Sequence, residues 1–197
     1  MPQPDSLMAL DIPAPDAHPE DIQAYLDKCA EKLGFVPNVI QSYVAKPNRW
    51  RAFVQMYHAL MDDEDCGLTK LEREMIAVVV SAVNRCYYCL VAHGAAVRRL
   101  SGDPELGEML VMDYRVAPLT ARQRAMLDYA WKLTETPARI DAADRDALRA
   151  QGFGEQDIFD ISEIAGFYNM TNRVAHGVHM MPNRDYHYLD RAPAGGA

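Results

Sequence analysis

The sequence predicts an all-α protein. Apolar residues recur at helical spacing through most of the chain, and helix caps, prolines and glycines punctuate them. No stretch alternates in the manner of a strand, and no Asn-Gly hairpin signal occurs.

The elements follow in order. Residues 1–18 read as an extended N-terminal arm, because Pro2, Pro4, Pro13 and Pro15 forbid regular helix there. A first helix opens at Pro19 with acids in its first turn and closes with Lys32 and Gly34. Ile22, Leu26, Cys29, Ala30 and Leu33 form its apolar stripe, which makes Cys29 a core residue. Pro37–Asn38 turns the chain into a short helix that ends by Pro47. The next helix spans Pro47–Met61, with Trp50, Phe53, Val54 and Tyr57 on one stripe. The acidic Asp62–Asp65 run and Cys66–Gly67 read as a loop. Thr69 followed by Glu72 has the form of a capping box and starts a helix that runs to about Val83. Asn84 then suits the N-cap of a new helix carrying Cys86 in its first turn. Later helices begin at Thr120 and near Ile140, the second closed by Gly152. A last long helical pattern covers Glu155–His179, with Ile158, Ile161, Ile164, Ala165 and Tyr168 at its apolar spacing. Residues 19–187 read as one helical domain and 188–197 as a flexible tail.

Composition narrows the function. The 197 residues are 49 % hydrophobic and 24 % charged, an ordinary globular mixture. A net charge of −8 and the absence of any Lys/Arg run argue against nucleic-acid binding. The longest apolar run, Met75–Val83, is broken by Ser81 and is too short to span a membrane. The N-terminus lacks the pattern of a secretory signal, so the expected location is the cytoplasm. In that reducing compartment a close cysteine pair suits redox or metal chemistry better than a structural disulfide.

That pair stands in Asn84–Gly94, N-R-C-Y-Y-C-L-V-A-H-G. On a helix, Cys86 and Cys89 (i, i+3) share a face, and Cys89 and His93 (i, i+4) are neighbours. A helix N-terminus favours a thiolate, and a nearby histidine can take a thiol proton. Glu74 enters an apolar run, where a carboxylate could orient His93; equally, Glu72 and Glu74 suit acids supporting a helix dipole. Core packing and a zinc site are the competing readings of the cysteines. For zinc, Cys29 and Cys66 stand alone, and His176 and His179 are only i, i+3. His58, His176 and His179 read as packing or interface residues. A faint internal echo pairs Leu68-Thr69 with Leu119-Thr120 and Asn84-Arg85…V-A-H-G with Asn172-Arg173-V-A-H-G; the second copy has no cysteines.

Arg73-Glu74, Val79-Val80-Ser81, Asn84, Cys86, Tyr88, Cys89 and His93 together resemble the signature of the alkyl hydroperoxidase D family, within the carboxymuconolactone decarboxylase-like superfamily. G-F-V-P-N at Gly34–Asn38 and the Asn172-Arg173 segment are similar to its peroxidase-related branch. The resemblance implies a compact all-helical bundle that forms homo-oligomers (dimers, trimers or hexamers). It implies a thiol-dependent peroxidase that reduces hydrogen peroxide or organic hydroperoxides in antioxidant defence, with no haem, flavin or metal. It makes Cys89 the peroxidatic thiol, Cys86 the resolving thiol, and Glu74 the acid coupled to His93, which activates Cys89. An external thiol or dithiol, protein or lipoyl in type, would reduce the disulfide. The best-known members carry a histidine where this chain has Tyr88, a weak base with a reference pKa of about 10. That substitution supports the alternative of a disulfide-exchange adaptor or redox sensor with little peroxidase turnover. A decarboxylase or lactone-processing enzyme and a non-catalytic assembly module are further readings; the cysteine pair argues against the decarboxylase.

Overall fold

A computed structural model describes residues 3–191; residues 1–2 of the expected arm and 192–197 of the expected tail lie outside the described residues. Nine α-helices are present among those residues, and no strand. They are α1 (Glu20–Leu33), α2 (Asn38–Ser42), α3 (Pro47–Met61), α4 (Lys70–Val83), α5 (Tyr87–Ser101), α6 (Pro104–Asp113), α7 (Ala121–Glu135), α8 (Ala142–Ala150) and α9 (Glu155–Gly177). Short 3₁₀ turns follow at Tyr114–Val116, Pro137–Arg139 and Arg184–His187.

Helix α4 is the axis of the bundle. Every residue from Glu72 to Ser81 is buried, and Met75 to Val80 have no exposed surface at all. A helix apolar on all sides has to be enclosed, and α5, α7 and α9 enclose it. Its start is fixed locally: the Thr69 hydroxyl accepts from the Glu72 N–H, and the Glu72 carboxylate accepts from the Thr69 N–H. Thr120 and Gln123 repeat this capping box at the head of α7, so the sequence echo marks two equivalent helix starts.

A second, smaller core forms where α1, α2 and α3 meet, around Ile22, Leu26, Ile40, Trp50 and Val54. Cys29 departs from expectation here. It is only partly buried and faces a cavity between this layer and the main bundle.

Residues 3–19 precede α1 without helix. They are tied to the segment after α9: Ala9 N–H donates to the Val178 carbonyl, and Met181 N–H donates to the Leu7 carbonyl. Arg98, buried in α5, donates to the carbonyls of Tyr186 and Leu189 and draws the far end of that segment onto the bundle.

Arg73 is buried beside the carbonyl groups that close α3 and the acidic loop. Its guanidinium donates to the Leu60, Asp63 and Leu68 carbonyls at 3.4, 2.6 and 3.1 Å. Replacing it with Met removes the donors and leaves those buried acceptors bare. Arg73→Met is expected to lower stability by about 2–3 kcal/mol, read as a shifted urea midpoint with unchanged slope.

Candidate active site

The α4–α5 corner sets the position of the cysteine pair. Helix α4 ends at Val83 with Asn84 as its C-cap, not as the N-cap of α5. Arg85 takes a left-handed conformation, φ 54°. Its N–H donates to the Ala82 carbonyl, and the Cys86 N–H donates to the Ser81 carbonyl. These two bonds form a Schellman motif. Its left-handed position normally holds glycine, because a Cβ there costs about 1–2 kcal/mol. The corner shifts the helix start by two residues relative to the sequence expectation. Cys86 becomes the N-cap and Cys89 falls in the first turn of α5. Propensity favoured Asn84 as a starter, but the orphan carbonyls at the end of α4 needed those N–H groups first.

The end of α9 repeats the motif. His179 sits at φ 51°, its N–H donates to the His176 carbonyl, and the Met180 N–H donates to the Ala175 carbonyl. The two corners deliver Cys86 and Met180 into one cluster, with Tyr88, Cys89 and Ala175. The echoed asparagines join them: Asn84 Nδ2 donates to Asn169 Oδ1 and Asn172 Oδ1 at 3.0 and 3.3 Å. Asn172 Nδ2 donates to Ser81 Oγ at 3.1 Å. His176 is exposed, with its Nε2 at 2.9 Å from the Asn84 carbonyl.

The two sulfurs lie 2.9 Å apart, joined by an S–H···S hydrogen bond. Cys86 is 1 % and Cys89 3 % exposed. A shared proton lets one sulfur carry charge at the expense of the other. The bond from Cys89 lowers the Cys86 thiol to about 7, against the burial that opposes it; the Cys89 N–H and the fields of His176 and His93 help. The same bond and burial raise the Cys89 thiol, and the Ser81 and Asn172 side chains partly offset this. Between the two, the direction of these shifts favours charge on Cys86 over Cys89.

Glu74 and His93 form the second pair. His93 Nδ1 is 2.7 Å from Glu74 Oε2, and both side chains are largely buried. Tyr168 meets the His93 ring edge-on, with centroids 4.6 Å apart. No hydrogen bond joins His93 to either sulfur among the described residues, so it acts on the pair through its field.

Beside these groups lies a cavity of about 190 Å³. Its walls are mostly aromatic and aliphatic, and Cys89, His93, Tyr88 and Tyr168 are among the lining residues; Cys86 is not. The Tyr88 hydroxyl accepts from the Val39 N–H at 3.0 Å, which fastens α2 to α5 and shapes one wall. Burial holds that phenol well above its ordinary range, so it is no base near neutral pH.

All five residues singled out from the sequence (Cys86, Cys89, His93, Glu74 and Tyr88) thus fall in one region. Ser81, Asn172 and Tyr168 join them without having been assigned a role. Ser81 had one signal, as the polar residue inside the longest apolar run; Tyr168 looked like part of an apolar stripe. His58 is not packed in the core. Its ring nitrogens contact Asp62 Oδ2 at 2.6 Å and the Tyr25 hydroxyl at 2.9 Å on the exposed side of α3. Cys66 donates to Asp160 and is remote in role. Among the described residues no group of three or more His, Cys, Asp or Glu could hold a metal ion. Nor is any helix long and apolar enough to cross a membrane.

Comparison with known proteins places the chain in a family. The carboxymuconolactone decarboxylase family model matches residues 50–130, the stretch from α3 into α7. An uncharacterized peroxidase-related protein from Silicibacter sp. TM1040 is 57 % identical with a TM-score of 0.93, over 97 % of this chain and 100 % of that one. A protein from Ralstonia eutropha JMP134, described as an alkylhydroperoxidase AhpD core and uncharacterized peroxidase-related protein, is 39 % identical. Its TM-score is 0.91, over 96 % of this chain and 100 % of that one. The debrominase Bmp8 shares the fold alone, at 18 % identity and a TM-score of 0.73, over 86 % of this chain and 89 % of that one. No curated protein matches. The chain belongs to the alkyl hydroperoxidase D-like family of the carboxymuconolactone decarboxylase superfamily, among its peroxidase-related members.

The shared proton is directly measurable. Ultraviolet thiolate absorbance is expected to show one thiolate per chain from this pair, with a midpoint of about 7. Cys89→Ala removes the S–H that stabilises it, and the midpoint should move up toward the ordinary thiol value of 9.0.

Proposed function

We propose that the protein is a thiol-dependent peroxidase that reduces small organic hydroperoxides through a Cys86/Cys89 dithiol–disulfide cycle. One observation carries this reading: two buried sulfurs 2.9 Å apart, one of them lining an apolar cavity beside a Glu74–His93 pair. Access assigns the attack to Cys89, which faces the cavity. Charge begins on Cys86. Transfer of the shared proton from Cys89 to Cys86 makes Cys89 the nucleophile without a further base.

The Cys89 thiolate then attacks the terminal oxygen of the hydroperoxide. The S–O bond forms as the O–O bond breaks, and two electrons pass from sulfur to oxygen. Cys89 becomes a sulfenic acid, and the alkoxide takes a proton from His93, which Glu74 holds at hydrogen-bond distance. Cys86 displaces water from the sulfenic acid and closes the disulfide. An external dithiol, protein or lipoyl in type, returns both cysteines to thiols by exchange. The cavity supports an apolar substrate body: an engineered apolar cavity of about 150 Å³ is enough for benzene. A cytoplasmic homo-oligomer completes the reading, and the exposed Met112 and Val116 are apolar surface available to such an interface.

The alternative of a redox adaptor draws on Tyr88, whose hydroxyl is engaged by the Val39 N–H. Steady-state consumption of an organic hydroperoxide with a dithiol reductant separates the two readings. Substantial turnover supports the peroxidase; a reversible disulfide with negligible turnover supports the adaptor. Cys89→Ser is expected to abolish consumption. Cys86→Ser removes both the proton acceptor and the resolving thiol, so it should allow only a single, slowed oxidation, leaving a Cys89 sulfenic acid that a nucleophilic trap labels. Glu74→Gln is expected to lower kcat/KM about 10²-fold, the ordinary scale of a lost proton-transfer group. Full activity in Cys89→Ser would sink the mechanism.

A further inference from the structure

Among the described residues, two buried side-chain polar atoms have no hydrogen-bond partner, His18 Nδ1 and the Tyr168 hydroxyl. Tyr168 is on α9, is 2 % exposed, and belongs to the cavity lining with Cys89 and His93. Its ring stands edge-on to His93 at 78°, which fixes it against the proton-carrying pair. Buried hydroxyls in folded proteins are nearly always paired, because a desolvated one opposes folding. A phenol left unpaired beside a reactive sulfur therefore calls for a partner that arrives with the substrate. On the same wall the Tyr88 hydroxyl already accepts from the Val39 N–H, whereas the Tyr168 hydroxyl has no partner among the described residues.

We propose that Tyr168 is a catalytic residue whose O–H donates a hydrogen bond to the inner oxygen of the bound hydroperoxide, the oxygen that leaves as alkoxide. This rests on the peroxidase reading above. As the Cys89–oxygen bond forms and the O–O bond breaks, negative charge grows on the inner oxygen. A fixed donor in a water-poor cavity stabilises that charge more than it stabilises the neutral substrate. Tyr168 gives up no proton, since burial holds its phenol well above the ordinary range. The proton that makes the alcohol comes from His93. The substrate class follows: a hydroperoxide whose carbon body fills the apolar cavity and places its inner oxygen under the phenol.

The test is Tyr168→Phe in the full chain, assayed with cumene hydroperoxide and dithiothreitol. The expected result is a fall in kcat/KM of about 10²-fold, the scale of one lost oxyanion donor. Alkylation of the cysteine pair by iodoacetamide should keep its rate and its pH midpoint. The melting temperature should hold or rise, because an unpaired buried hydroxyl has been removed. Tyr88→Phe, which loses a real bond, should melt lower. Activity of Tyr168→Phe within about twofold of wild type overturns the proposal, as does a lowered melting temperature with slowed alkylation, which marks a structural hydroxyl. Wild type that consumes no hydroperoxide overturns the peroxidase reading itself, and with it this one.

Discussion

The site depends on how the carbonyl groups at the end of α4 are satisfied. A buried helix cannot leave them to water, so the chain folds back on itself and spends the Arg85 and Cys86 N–H groups there. That requirement holds Arg85 at positive φ and makes Cys86 the N-cap of α5. It also places Cys89 one turn into a helix whose first N–H groups lack internal partners. Ser81, Asn84 and Asn172 then lock the corner to α9 through side-chain hydrogen bonds. Because α4 is enclosed along its length, Glu74 at one end and the corner at the other are held on a single rigid element.

Within that frame the chemistry is a matter of shared protons in a dry place. Two thiols at 2.9 Å cannot both ionise, because their charges would repel and neither is hydrated. The first charge is stabilised by the remaining S–H, and the second is correspondingly opposed. Of the two sulfurs, Cys89 lines the cavity and Cys86 does not. On the proposed reading, a proton transfer within the pair brings charge to the sulfur that faces a substrate. Glu74 and His93 sit at hydrogen-bond distance, with His93 on the cavity wall; on the proposed reading this pair supplies the proton that the alkoxide takes.

Tyr88 shows how a departure from a family pattern can be read two ways. A tyrosine in place of a histidine weakens any proton relay at that position. The Tyr88 hydroxyl instead accepts from the start of α2 and so helps to build the cavity wall. Tyr168, which looked like one more apolar helix residue, lines the same cavity and carries a buried, unpaired hydroxyl. The balance of polar groups at the site therefore differs from the one the linear motif suggests.

The sequence by itself determined the helical class, most helix starts and which candidate residues gather in one region. Capping boxes at Thr69 and Thr120, the proline at the head of α3 and the spacing of apolar residues are local signals, and local hydrogen bonds realise them. The spacing of Cys86, Cys89 and His93, with Glu74 upstream, was legible for the same reason: one helix face collects i, i+3 and i+4 neighbours. Only the tertiary structure decided the rest. Asn84 caps the end of α4 because that helix is buried and its carbonyls must be paired. Cys29 lines a cavity that residues far apart in sequence, from α1, α5 and α9 among others, enclose together. The two sulfurs meet at 2.9 Å, and the hydroxyl of Tyr168 is left unpaired, because the packing of α4, α5 and α9 decides which groups are deprived of water.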